Sequence, residues 1–262
     1  MPELSATQIQ PFRAHSLRLL GDKQHRSSLE DYYLPVDHLT IHHLESPHVV
    51  GYYLNPKQLE ANFPNMRSCF DRTLKIGTAS GFKLTSEGDI LTCNHVTNNL
   101  GDPRSGNIRT SENDSIDTSY SRILLEGNKG SKPEDIAIIN IPSLSDLEPI
   151  RFRTQAASVG EKVFTIGTPI NVAGMTNEIT VISPAVVTEV SENTLKLDGR
   201  IMQGFSGGPV VDLEGNCLGM VQRDGSNCKT DCITSQAIIL ALGSMNPVGE
   251  SISKKIKSRL ED

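Results

Sequence analysis

No stretch of the 262-residue chain approaches the roughly 18 apolar residues that a membrane-crossing helix requires. The first residues, MPELSATQIQPFRAH, also lack the charged start and apolar core of a secretory leader. A soluble protein, cytoplasmic by default, is therefore expected, with signal-independent export left open. Positive charge is in deficit as well: 25 Lys and Arg face 31 Asp and Glu, a net charge of -6. A general nucleic-acid binder usually carries a basic face, so that class is disfavoured. The cysteines are few and odd in number, namely Cys69, Cys93, Cys217, Cys228 and Cys232, which is not a disulfide framework. Cys228 and Cys232, in NCKTDC, read as free thiols in a loop, whereas Cys93 and Cys217 lie in apolar runs and read as core residues. The absence with the most consequence is positional: no histidine follows His95.

What is present divides in two. Residues 1–67 are irregular, with Pro2, Pro11, Pro35, Pro47, Pro56 and Pro64, and hold six of the seven histidines: His15, His25, His38, His42, His43 and His48. DHLTIHHLESPH offers no cysteine or carboxylate pattern beside its imidazoles, so a metal site is not expected there, and the segment reads as an N-terminal extension. No cofactor is expected either. From Cys69 onward the texture is β. Short strands are predicted at Thr73–Ile76, Ala79–Thr85, Ile90–Val96, Ser121–Leu125, Ile136–Ile141, Lys162–Ile166, Ile179–Ser191, Thr194–Leu197, Pro209–Asp212 and Cys217–Gln222. Asn98 to Ser121 is polar and reads as a long surface loop. Many short strands with Gly, Pro and Asn turns imply an all-β chain built of antiparallel barrels or a sandwich. Ser235 to Leu242 can begin a helix, and Ile252, Ile256 and Leu260 recur at helical spacing in a tail of residues 246–262. Docking of that amphipathic tail on its own barrel is expected over membrane binding.

The chemistry concentrates in QGFSGGPV, residues 203–210. Gly204-Phe205-Ser206-Gly207-Gly208 satisfies G-x-S-x-G, which in α/β-hydrolases is followed by an acid and then a histidine. With no histidine after Ser206 that order fails, and Pro209-Val210-Val211-Asp212 continues as strand where a helix is required. The reverse order is available. His95 ends an apolar run, and Asp135 opens another, EDIAIINI. A carboxylate there can orient the imidazole through Nδ1, and the imidazole can take a proton from Ser206. The turn can aim the backbone N–H groups of Gly204 and Ser206 at an oxyanion, each worth roughly 3 kcal/mol in the transition state.

GTASGFKLTSEGDILTCNHV, EDIAIINI, VGEKVFTIGTP, ITVISPAVV and DGRIMQGFSGGPVVDLEGNCLGMV, in that order, resemble the consecutive blocks of trypsin-like serine proteases, in the flavour of the HtrA/Deg branch. The resemblance covers about Thr73 to Leu242. It implies two antiparallel six-stranded β-barrels across residues 68–245, with His95 as general base, Asp135 as its orienter and Ser206 as nucleophile of an endopeptidase. A protein or peptide substrate follows, and homo-oligomers are compatible with the branch. HtrA-type proteases usually carry PDZ domains after the catalytic domain, and with 20 residues after Leu242 none is expected here. Digestive relatives place Asp just before the serine to receive a freed N-terminus, but Phe205 stands here. Their cleavage after Lys or Arg requires an acid where this chain has Arg200, so a small or aliphatic P1 residue is expected, with Ile201 and Met202 lining the pocket. Met220, Val221 and Gln222 lie on the segment expected to pair with substrate backbone. The competing reading is a binding module on a protease fold, its cleft closed by residues 1–67.

Overall fold

The computed structural model describes residues 42–46, 49–53, 64–127, 135–168, 180–198, 203–224 and 229–260. A hairpin of β1 (His42–Ser46) and β2 (Val49–Tyr53) and a helix α1 (Pro64–Asp71) precede the main body. The first unit is an antiparallel sheet of β3 (Thr73–Ile76), β4 (Ala79–Lys83), β5 (Asp89–Thr92), β6 (Ile108–Arg109), β7 (Arg122–Glu126) and β8 (Ala137–Asn140), in the order β6-β3-β4-β5-β8-β7. The second is a closed barrel of β9 (Lys162–Gly167), β10 (Val181–Val190), β11 (Thr194–Asp198), β12 (Pro209–Val211), β13 (Cys217–Asp224) and β14 (Lys229–Thr234). The all-β expectation of two six-stranded units therefore holds, with one refinement. Among the described residues, hydrogen bonds close only the second unit, and the first is a half-barrel with β6 and β7 at its edges.

Every residue of β4 and β5 is buried, because one face of these strands fills the first unit and the other is covered by the second. A continuous apolar core accordingly runs from Leu74, Phe82 and Ile138 of the first unit into Phe164, Ile166 and Met220 of the barrel. A smaller core of Val163, Val187, Leu195, Leu197, Phe205 and Val221 fills the barrel interior. The connection between the units stitches them together. Ile150 N–H donates to Lys83 O at 3.1 Å, and Arg153 N–H and Cys217 N–H pair with Cys217 O and Arg151 O at 3.0 and 2.7 Å.

Three local expectations change. The run predicted as strand to Val96 stops at Thr92, and a helix α2 (Asn94–Leu100) takes over. Cys93 turns the chain: it is extended, at φ -80° and ψ 147°, and its carbonyl accepts the first helical N–H groups, from Val96 and Thr97. The predicted loop from Asn98 holds the end of α2, a 3-10 turn at Pro103–Ser105 and β6. Cys232 is a buried β14 residue, not a loop thiol, and Cys69, Cys93 and Cys217 are buried free thiols as well. Cys228, His48 and residues 1–41, with His15, His25 and His38, lie outside the described residues.

After β14 the chain forms α3 (Ser235–Met245) and α4 (Pro247–Ser258), joined by Asn246, whose side chain caps α4 by accepting the Gly249 N–H at 2.9 Å. α4 returns to the first unit. Ile252 and Ile256 are buried in the shared core, Lys255 pairs with Glu87 at 2.9 Å, and Arg259 Nη2 donates to Leu84 O at 2.5 Å. The tail docks on its own fold, as its amphipathic spacing predicts, and no described helix is long and apolar enough to cross a membrane. Ile256→Ala is expected to lower the unfolding free energy by about 2–5 kcal/mol. Lys254→Ala, on the exposed face, should stay within about 0.5 kcal/mol. Urea titration of both variants checks the docking, and equal midpoints would refute it.

Candidate active site

The site is assembled at the seam between the two units. α2 presents His95 from the end of β5, and Asp135 sits at the entrance of β8. The two residues are joined twice. The His95 backbone N–H donates to Asp135 Oδ1 at 3.0 Å, and His95 Nδ1 lies 3.0 and 2.9 Å from Oδ1 and Oδ2. Because Nδ1 faces the carboxylate, Nε2 is the nitrogen left for other chemistry. The side chains differ in access: that of His95 is 44% exposed and that of Asp135 17%. Burial alone would push the Asp135 carboxyl up. The side-chain and backbone hydrogen bonds from His95, its charge, and a hydrogen bond from the Gln222 side chain hold it below the usual carboxylate range.

Gln222 lies on the segment expected to pair with substrate backbone, and its side chain hydrogen-bonds Asp135. The ladder of β13 with β14 shifts register between Val221 and Arg223, so Gln222 is the extra residue of a bulge, and bulges re-aim side chains. The adjoining strand differs from expectation. Met220 and Val221 are fully buried, and their backbones are paired on both sides, by β14 and by β12 with the turn before it. Among the described residues, the edge without a partner strand therefore begins at Gln222. Arg200, Ile201 and Met202 lie outside the described residues.

The serine turn is held by close backbone approach. Gly204 and Gly207 have φ of 110° and 84°, in the region that favours glycine. A Cβ on Gly207 would stand 2.2 Å from Ser80 O and 2.4 Å from Thr92 Oγ1, and one on Gly208 2.0 Å from Ile166 O. Gly207 N–H donates to Val221 O at 2.8 Å, and Val221 N–H to Gly208 O at 2.9 Å. Phe205 is fully buried in the barrel core, its ring against Gly167, where a Cβ would lie 2.6 Å from it. With Phe205 pointing inward, its neighbour Ser206 faces outward. Ser206, Gly204, Gln203 and His95 line one cavity of about 150 Å³, whose other walls include Ile76, Ala79, Val96 and Leu100. The carbonyls of Gly204 and Ser206 are both taken by Ser80, whereas their N–H groups have no partner among the described residues.

Cys93, His95 and Asp135 also bring a thiol, an imidazole and a carboxylate within 4.8 Å of one another. The thiol is an ill-suited ligand as it stands. It is fully buried, burial pushes its pKa well above the usual thiol range, and it donates to Val221 O at 3.3 Å.

A β half-barrel and a closed barrel, with an aspartate-held histidine and a glycine-bracketed serine lining one cavity at their seam, define the chymotrypsin-fold class. The chain belongs to the trypsin-like peptidase domain family, whose profile matches residues 79–220, more than half of its length. It is 26% identical over 159 residues to a probable periplasmic DegP-like serine endoprotease of Bartonella henselae, covering 57% of this chain and 28% of that protein. It is 29% identical over 157 residues to the chloroplastic protease Do-like 5 of Arabidopsis thaliana, covering 55% and 47%. The chain spans less than half the length of each of these DegP-like and Do-like relatives. Among solved structures, the fold is shared with the inactive form of the Rv3671c protease (TM-score 0.57, 20% identity, 72% of this chain and 95% of that one). It is shared also with a serine endoprotease from Yersinia pestis (TM-score 0.53, 19% identity, 76% and 66%).

Two outcomes follow from the geometry. Gly207→Ala forces a side chain into positive φ and into Ser80 O, so a loss of about 2–5 kcal/mol in unfolding free energy is expected. Asp135 has a lowered folded pKa, so its contribution to stability is present above the unfolded value of about 3.9 and is lost as pH falls through the folded one. The stability deficit of Asp135→Asn should therefore shrink between pH 7 and pH 3 in urea titrations. A deficit that does not change with pH would mean that no ionised carboxylate is being stabilised.

Proposed function

We propose that this protein is a serine endopeptidase that hydrolyses peptide bonds through an acyl-enzyme. The observation that carries the reading is the His95 imidazole, fixed through Nδ1 by Asp135, on a cavity that it shares with Ser206. Ser206 Oγ attacks the scissile carbonyl while His95 Nε2 takes its proton, and Asp135 stabilises the imidazolium without being protonated. The oxyanion is received by the N–H groups of Gly204 and Ser206, whose own carbonyls are turned to Ser80. His95 then returns the proton to the leaving amine, and water, deprotonated by the same nitrogen, releases the acid. The open edge from Gln222 pairs with substrate backbone as an added strand. Arg200 disfavours a cationic P1 residue, and Ile201 and Met202 favour a small or aliphatic one. The DegP-like relative, named a probable serine endoprotease, supports the assignment of the chemistry.

A fluorophosphonate probe tests this reading, because phosphonylation requires an activated serine. Labelling of the full chain that disappears in Ser206→Ala, and a drop in kcat on the order of 10⁴ in Asp135→Asn, are expected. Absence of labelling both in the full chain and in a chain begun near Met66 would favour the binding-module reading. In a peptide library, cleavage predominantly after Lys or Arg would refute the P1 assignment.

A further inference from the structure

Ser80 is a fully buried residue of β4, in the first unit, and each of its polar groups is engaged with the site. Its N–H donates to Ser206 O at 2.9 Å, and its hydroxyl donates to Gly204 O at 2.7 Å. The same hydroxyl oxygen accepts the Thr168 N–H, just past β9, at 2.9 Å. Its carbonyl accepts the Thr92 hydroxyl, at the end of β5, at 2.7 Å. One residue of the first unit thus holds the serine turn of the barrel at two carbonyls, and it is tied in turn to the strand that leads to His95.

We propose that Ser80 is a positioning residue that sets the oxyanion-binding geometry of the serine turn. The inference rests on the functional reading above, in which Gly204 and Ser206 N–H groups receive the oxyanion. Gly204 lies at φ 110°, and glycine has no Cβ to oppose rotation of the peptide planes on either side of it. An amide turned over at this residue would present a carbonyl where a donor is needed. The Ser80 hydroxyl fixes Gly204 O and the Ser80 N–H fixes Ser206 O, so the peptide planes that follow Gly204 and Ser206 are pinned to β4, and the Gly204 amide, whose own plane carries Gln203 O, can turn only against that held neighbour. The hydroxyl holds this position because Thr168 N–H anchors it from a second direction. Removing it leaves Gly204 O and Thr168 N–H unpaired in a buried place, which they can relieve only by moving. The effect should fall on the transition state, where the oxyanion forms, more than on ground-state binding.

Ser80→Ala deletes the hydroxyl and keeps the backbone bonds. Its kcat, normalised to the titrated concentration of reactive Ser206, is expected to fall by about 10- to 100-fold with KM within threefold, below the full cost of losing an oxyanion donor. A peptide boronate, which bonds to Ser206 Oγ and places an oxygen in the oxyanion site, should bind more weakly by a similar factor. The matching peptide acid should bind within threefold of its unmodified affinity. A fold-wide disturbance would not separate the two ligands in this way. Ser80→Cys, which fills the space with a weak donor, should lie between the two, and it provides the measurement if Ser80→Ala folds poorly. Boronate and acid affinities that change equally, or a normalised kcat within twofold of the parent, would overturn the proposal. Failure of the parent itself to label with a fluorophosphonate sinks the functional reading, and this inference with it. A parent that labels beside a Ser80→Ala variant that labels at the same rate sinks this inference alone.

Discussion

The constraint on which the rest of the structure depends is the width of the seam at Gly207. The serine turn of the barrel and the β4–β5 pair of the first unit approach so closely that no side chain fits between them. A single Cβ at Gly207 would meet Ser80 O, Thr92 Oγ1 and the Cys93 backbone nitrogen together. That approach lets Ser80 reach the carbonyls of Gly204 and Ser206, and it brings the serine turn beside the start of α2, which carries His95. The shared core enforces it from both sides. β4 and β5 are buried on every residue, and Phe164, Ile166 and Met220 of the barrel belong to the same apolar mass as Phe82 and Ile138. The proposed chemistry at this seam therefore depends on the two units being packed as they are. Separating them by about 1 Å would carry the Ser80 bonds beyond hydrogen-bonding distance.

The parts of the fold legible in the sequence were those with a local signature. Alternating apolar runs and glycine turns marked nearly every strand of both units, and the spacing of Ile252 and Ile256 marked the tail helix. Where the chain changes period without a break in apolar character, the signal failed. DILTCNHV reads as one strand because Cys93 and Val96 are apolar, yet an extended Cys93 ends β5, and its carbonyl caps the helix that carries His95. The distinction between a half-barrel and a closed barrel was equally hidden, since it depends on which edges meet rather than on any segment's own pattern.

The candidate site shows the same division. Order along the chain, His95 before Asp135 before Ser206, and the want of any later histidine sufficed to name the polar residues that the fold brings together. Gln222 was legible only as a member of the substrate-facing strand, because its contact with Asp135 arises from a bulge that sequence does not mark. Ser80 was invisible for a related reason. A serine in a buried strand is unremarkable until three of its four hydrogen bonds are seen to reach the other unit of the fold.

Phe205 then acquires a physical meaning beyond the absence of an aspartate. In a protease activated by a freed N-terminus, the aspartate before the serine holds its turn by an ion pair that exists only after cleavage. Here the same position buries an aromatic ring in the barrel core against Gly167, a contact of the kind that removes roughly 150–250 Å² from water. The turn is thus gripped from within by Phe205 and from across the seam by Ser80. Both grips are made by folding alone, and neither waits for a new chain end. Changing the turn itself would require pulling Phe205 out of a filled core.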